Sequence, residues 1–154
     1  MLDRLEAENG LSAGAVGILA LIETALGVEN AFSIASASPR VQALFLGAED
    51  LSADLHCKRT KEGAEILYAR TRLVMAARAA GIDVYDTPFT DVDDDEGLCA
   101  DAALAKSLGF TGKAAISPRH LGNINRCFSP SQAEADYARQ VLAAIEEVGG
   151  QAVL

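Results

Sequence analysis

Four short apolar runs punctuate the chain: GILALIE (17–23), VQALFLG (41–47), IDVYDTPF (82–89) and KAAISP (113–118). They recur at intervals of about 30 residues, the length of one strand-plus-helix unit. Between them the hydrophobic period lengthens to that of helices, roughly over 28–36, over GAEILYARTRLVMAARAA (63–80), from near Asp95 onward, and over SQAEADYARQVLAAIEEVG (131–149). The predicted order is β-α-β-α-β-α-β-α in one domain, 1–154, and alternation of this kind implies a parallel sheet of the α/β class. Two folds satisfy it, a doubly wound open sheet or part of a (β/α)₈ barrel.

The helices carry their own start and stop signals. In the last, Pro130 precedes Ser131, Glu134 follows three residues later as in a capping box, and Gly149 and Gly150 end the run. In the second, Ile66, Leu67, Leu73, Val74, Ala76 and Ala77 share a stripe, with Glu62, Arg70, Arg72 and Arg78 expected to turn largely elsewhere.

The first run, extended to GILALIETALGV, reads as a strand buried on both faces, yet Glu23 interrupts it. An isolated buried carboxylate is costly unless paired or bound to a metal. Polar residues close the other runs too: Glu49 and Asp50 after the second, Asp86 and Thr87 in the third, Ser117 in the fourth. In either fold, chemistry gathers at the carboxyl ends of the strands. Neighbouring parallel strands lie roughly 4.8 Å apart, so carboxylates ending the first and second can converge on one cation. Two carboxylates completed by water and substrate oxygens suit Mg²⁺, which keeps part of its hydration shell. A structural alternative has Glu23 bonded to backbone amides or to an arginine.

Composition narrows the partners. Thirteen Lys+Arg against 22 Asp+Glu give a net charge of -9, with no basic stripe, so nucleic acid and anionic membranes are excluded as partners. The longest apolar segment, Ala13 to Ile22, is about half a membrane span, and the charged start MLDRLEAENG is unlike a signal peptide; a cytoplasmic location is expected. Cys57, Cys99 and Cys127 are odd in number and widely spaced, so they are read as reduced, buried thiols.

LALIETALGVENAFSIA, FLGAEDLSADL, AARAAGIDVYDTPFTDVDDDEGLCADAALAKSLGFTGKAAISPRHLGNIN and FSPSQAEADYARQVL together resemble the citrate lyase beta subunit and malyl-CoA lyase branch of the aldolase and citrate lyase family, and the ordered pair IET and GAEDLSAD is specific. The resemblance implies a TIM barrel, with this chain as strands five to eight, a partial barrel. It implies Glu23 and Asp50 as ligands to Mg²⁺, with Glu49 the nearby competitor. Asp86, Pro88 and Phe89 come at the carboxyl end of the third run and are expected to border the same cavity as Glu23, with Asp86 hydrogen-bonded rather than metal-bound, so Glu23, Asp86 and Pro88 are the expected substrate-binding residues. No catalytic residue is assigned beyond the metal ligands. The implied activity is a carbon–carbon lyase cleaving a 3-hydroxyacyl thioester such as citryl-, malyl- or citramalyl-CoA into an acyl thioester and a 2-oxo acid, the acyl group carried on coenzyme A or an acyl-carrier protein. A malyl-CoA thioesterase is the related alternative, and a non-catalytic half-barrel that self-associates is the alternative from another class.

Family members run to about twice this length, as a complete barrel does, and place an acidic motif on strand two and a substrate-gripping arginine on strand three. The chain is therefore expected to be a homo-oligomer, because cut sheet edges are templates for pairing, and to be inactive in isolation.

Other signals are weaker. The acidic run DVDDDEG (91–97) lacks the calcium-loop pattern, with Glu96 at the sixth position and Ala102 at the twelfth; its expected role is to set Asp94 and Asp95 at a helix start. His56 with Cys57, and His120, are expected to be structural. Lys58, Arg59 and Lys61 form a basic patch that a coenzyme A phosphate could use.

Overall fold

The structure, a computed structural model, describes residues 1–147. Four parallel strands, β1 (Ile18–Ile22), β2 (Val41–Leu46), β3 (Asp83–Asp86) and β4 (Gly112–Lys113), lie side by side in chain order. The order never reverses within these four strands, so each crossover returns on the same face and the helices form one layer.

That layer is built from α2 (Ala25–Glu29), α3 (Ala31–Ala35), α4 (Ala48–Asp54), α5 (Leu67–Ala80) and α6 (Asp95–Leu108). α3 packs on β1 and β2, α5 on β2 and β3, and α6 against β4. Between helices and sheet lie Ile22, Leu44, Leu46, Ile66, Leu73, Val84 and Phe110, all buried. α5 ends at Gly81 and α6 at Gly109, both left-handed, the conformation a helix stop needs and glycine adopts at no steric cost.

Three further helices surround this body. α1 (Leu2–Glu8) is bound to the amino end of β1 through Glu6. Its carboxylate accepts the Gly14 and Val16 amides at 3.0 and 2.8 Å and pairs with Arg40 at 2.6 Å. α7 (Leu121–Phe128) packs on α6. α8 (Gln132–Glu147) opens with the expected capping box, Glu134 N donating to Ser131 Oγ at 3.2 Å and Ser131 N to the Glu134 carboxylate at 2.7 Å. Apart from Ala135, its side chains through Glu146 are exposed. The predicted stop at Gly149 and Gly150 lies outside the described residues. Among the described residues no helix is long and apolar enough to cross a membrane.

Several expectations need correction. β1 is not buried on both faces: Leu19 and Leu21 are 53 % and 48 % exposed on the side away from the helices, while Ile22 is buried. The helix expected over 28–36 is two short ones meeting at Asn30. Arg70 was expected on the polar side of α5 and is fully buried, whereas Leu67 is 44 % exposed. The three cysteines are free, but Cys57 and Cys99 are exposed and Cys127 is half-buried.

Candidate metal centre

Glu23 directly follows β1, and Thr24 caps α2 by accepting the Gly27 amide at 3.1 Å, so the chain turns immediately after the carboxylate. The half-buried Glu23 side chain runs across the residue that closes β2. A Cβ placed on Gly47 would lie 2.8 Å from the Glu23 Cβ and 3.1 Å from its Oε2. Only glycine fits there without displacing Glu23, which is why a glycine separates the strand from the acidic pair. Gly47 also donates its amide to the Ile22 carbonyl at 2.9 Å, fixing the two strand ends together.

α4 carries three acids. Glu49 is drawn 3.6 Å from Arg59, and Asp54 accepts the Ala25 amide at 2.7 Å. Asp50 is exposed, and among the described residues no hydrogen bond or ion pair engages it or Glu23. Two uncommitted carboxylates thus stand after adjacent strands, Asp50 three residues beyond the Gly47 that Glu23 covers.

Asp86 does not join them. It was expected to border the pocket beside Glu23, but its side chain is fully buried on the helix side of the sheet. Arg70 Nε and Nη2 reach its two oxygens at 3.0 and 2.8 Å, and Lys113 Nζ reaches Oδ2 at 2.7 Å. Asp101 of α6 completes the set, 2.6 Å from Arg70 Nη2. Two cations and two anions balance in charge. Burial works against the ionised form of Asp101, yet Lys113 and Arg70 hold its carboxyl below the usual range. Pro88 is half-buried. Phe89 borders hollows of about 240 and 90 Å³ with Lys61, and Glu23 lines neither.

The family model for HpcH/HpaI aldolase/citrate lyase matches residues 1–118. The chain belongs to that family. It is 44 % identical over 142 residues to the citrate lyase subunit beta of Leuconostoc mesenteroides subsp. cremoris, covering 92 % of this chain and 47 % of that protein. To the L-malyl-CoA/beta-methylmalyl-CoA lyase of Rhodobacter capsulatus it is 36 % identical over 149 residues, covering 86 % of this chain and 47 % of the relative. Among solved structures it is similar to the citrate lyase beta subunit complexed with oxaloacetate and magnesium from M. tuberculosis, with TM-score 0.68 and 32 % identity over 74 % of this chain and 53 % of that one. The chain spans about half the length of the curated relatives it matches.

In this aldolase/citrate lyase family chain the donor set fits a hard divalent cation. Among the described residues no three His, Cys, Asp or Glu side chains gather into a metal-binding group. A pair of carboxylate oxygens that leaves most positions to water or substrate is the arrangement Mg²⁺ tolerates, and the glycine cradle leaves Glu23 Oε2 room beside the Gly47 backbone.

The remaining sequence candidates are accounted for locally. Arg59 pairs with Glu65 at 2.7 Å, and Lys61 bridges Asp91 and Asp94 at 2.7 and 2.8 Å, so within the basic patch only Lys58 has no acidic partner among the described residues. Asp94 caps α6 as expected, accepting the Gly97 amide at 2.8 Å. His56 is exposed at φ 55, and His120 is buried at the start of α7 with Nδ1 lacking a partner. The buried ion cluster is what sequence reasoning missed, although its signal was present. Arg70 falls with Leu73, Val74 and Ala77 at i, i+3, i+4 and i+7, and Asp101 falls likewise with Leu98, Ala102 and Ala105, the periodicity of a buried face.

Proposed function

We propose that residues 1–154 supply strands five to eight of a (β/α)₈ barrel and the cation site of a carbon–carbon lyase. The substrate class is a 3-hydroxyacyl-CoA thioester such as citryl-, malyl- or citramalyl-CoA, cleaved to an acyl thioester and a 2-oxo acid. The observation that carries this reading is the pair of uncommitted carboxylates, Glu23 and Asp50, after adjacent parallel strands with Glu23 seated on Gly47. The names of the relatives and the oxaloacetate and magnesium of the solved one support the substrate class and the ion.

Glu23 and Asp50 would hold Mg²⁺, which when bound supplies Lewis-acid polarisation of substrate oxygens as charge develops in the transition state. The chain's own contribution is placement. Thr24 ends β1 in a capped turn, Gly47 leaves the space Glu23 occupies, and Arg59 and the Ala25 amide draw off Glu49 and Asp54, so Asp50 alone of the α4 acids stays available. Pro88 is proposed beside the substrate from its place after β3; Asp86 is withdrawn from that role, because both its oxygens are committed.

Titration of the chain with Mn²⁺ as a paramagnetic stand-in, followed by electron paramagnetic resonance, tests the assignment. Binding should be lost in Glu23→Gln and in Asp50→Asn and kept in Glu49→Gln. Unchanged binding in the first two variants would refute it. The half-exposed Leu19 and Leu21 on the helix-free face favour self-association as well; a monomer in light scattering at high concentration would count against that.

A further inference from the structure

α4 begins without a cap of its own: Gly47 stands at the N-cap and offers no side chain. The first amides of a helix have no partner within it, and Ala48 N is such a donor on a fully buried residue. It is met from another strand. Thr87, 1 % exposed and directly after β3, accepts the Ala48 amide on its Oγ1 at 3.3 Å, across 39 residues of sequence. The carbonyl of the same residue accepts Lys113 Nζ at 2.7 Å. Lys113 is in turn fixed by Asp86 and Asp101, which Arg70 holds from α5. A continuous set of hydrogen bonds thus runs from the buried ion cluster to the first residue of α4, two positions before Asp50.

We propose that Thr87 is a positioning residue for the cation site. It caps α4 from the neighbouring strand and sets Asp50 at the height where it meets Glu23, while the ion cluster locks Thr87 through its main chain. The assignment rests on the cation-site reading above. It gives the buried charges a consequence at the rim: outer partners that orient ligands typically change metal affinity by about 10–100-fold when removed, and Thr87 acts here on the backbone that carries a ligand.

Thr87→Val keeps the β-branched shape and deletes the acceptor, whereas Thr87→Ser keeps the hydroxyl. Thr111→Val is the control for general loosening. Thr111 exchanges hydrogen bonds with Val84 N and O at 3.1 and 2.9 Å and has no link to α4. Two readouts apply to the 154-residue chain: Mn²⁺ affinity by electron paramagnetic resonance, and amide exchange at Ala48, Glu49 and Asp50 by NMR. In T87V, Mn²⁺ affinity should fall by about tenfold and the three amides should exchange faster, with both effects reversed in T87S and absent in T111V. Unchanged affinity and exchange in T87V would overturn the assignment, as would an equal loss of affinity in T111V. No Mn²⁺ binding by the wild-type chain, seen as an undiminished spectrum of the free ion, with Ala48 exchange still faster in T87V, would overturn the cation-site reading while supporting the capping contact.

Discussion

Asp86 and Glu23 both stand at the carboxyl end of a strand in the same sheet, and their surroundings are opposite. Asp86 has no exposed surface and both its oxygens are taken by Arg70 and Lys113; Glu23 is half-buried with no protein partner for its carboxylate among the described residues. Parity along the strand makes the difference. Successive side chains of a strand alternate faces. Asp86 shares its parity with the buried Val84 and so enters the helix layer, while Glu23 shares its parity with Leu19 and Leu21 on the helix-free side. One residue of offset decides whether a carboxylate becomes part of the core or is left available to a cation.

The comparison breaks most violently at the buried end. Removing one member of a buried, paired cluster leaves charge uncompensated and costs about 3–5 kcal/mol, so Asp86→Ala should lower the urea midpoint sharply or prevent folding altogether. Next in size is Gly47→Ala. Its backbone, at φ -97, accepts alanine, but the added carbon would sit 2.8 Å from the Glu23 Cβ. Relief of that overlap should cost about 1–3 kcal/mol and displace Glu23, giving a lower melting temperature together with weaker Mn²⁺ binding.

A smaller, pH-confined effect belongs to Glu6. Hydrogen bonding from Arg40, then from the Val16 amide, lowers its pKa from 4.5 to about 2. The folded form therefore binds the proton less well than the unfolded chain, and the stabilisation is complete above the unfolded pKa and lost as pH falls from near 4.5 toward 2. Glu6→Gln should flatten the loss of stability over that window; an unchanged acid limb would show that Glu6 does not contribute. Smallest of all is the available end. Glu23→Gln and Asp50→Asn break no protein contact and should move stability by no more than about 0.5 kcal/mol. Urea midpoints near wild type beside abolished Mn²⁺ binding would sharpen the contrast with Asp86, and a large loss of stability would erase it.

The strands were legible because an apolar run bounded by turn residues and repeated at the length of a strand-helix unit has few other physical solutions; the 41–47 and 82–89 runs contain β2 and β3. The short helices α1, α4 and α7 were not, since seven or eight residues give too few turns for a period to show. At the site, a carboxylate inside an aliphatic run pointed to Glu23, and the resemblance set Asp50 before Glu49; the residues alone did not separate the two acids, because what engages Glu49 is Arg59, a contact the spacing does not show. A position at a strand end is shared by residues of both faces, and it is strand parity that sends Asp86 inward. The charge of Arg70 suggests solvent, but its spacing from Leu73 and Ala77 points inward.

α8 turns nearly every side chain outward, including Val141, Leu142 and Ile145 at 38 %, 61 % and 42 % exposure. A sixteen-residue helix without a buried face is near the limit of what propensity and capping sustain in water, where helices under about 12–15 residues are marginal. Its melting is thus uncoupled from that of the sheet. On heating, a gradual loss of helical dichroism should precede the cooperative step, and a protease should trim the chain back toward Ser131 while the body from β1 to α7 remains intact.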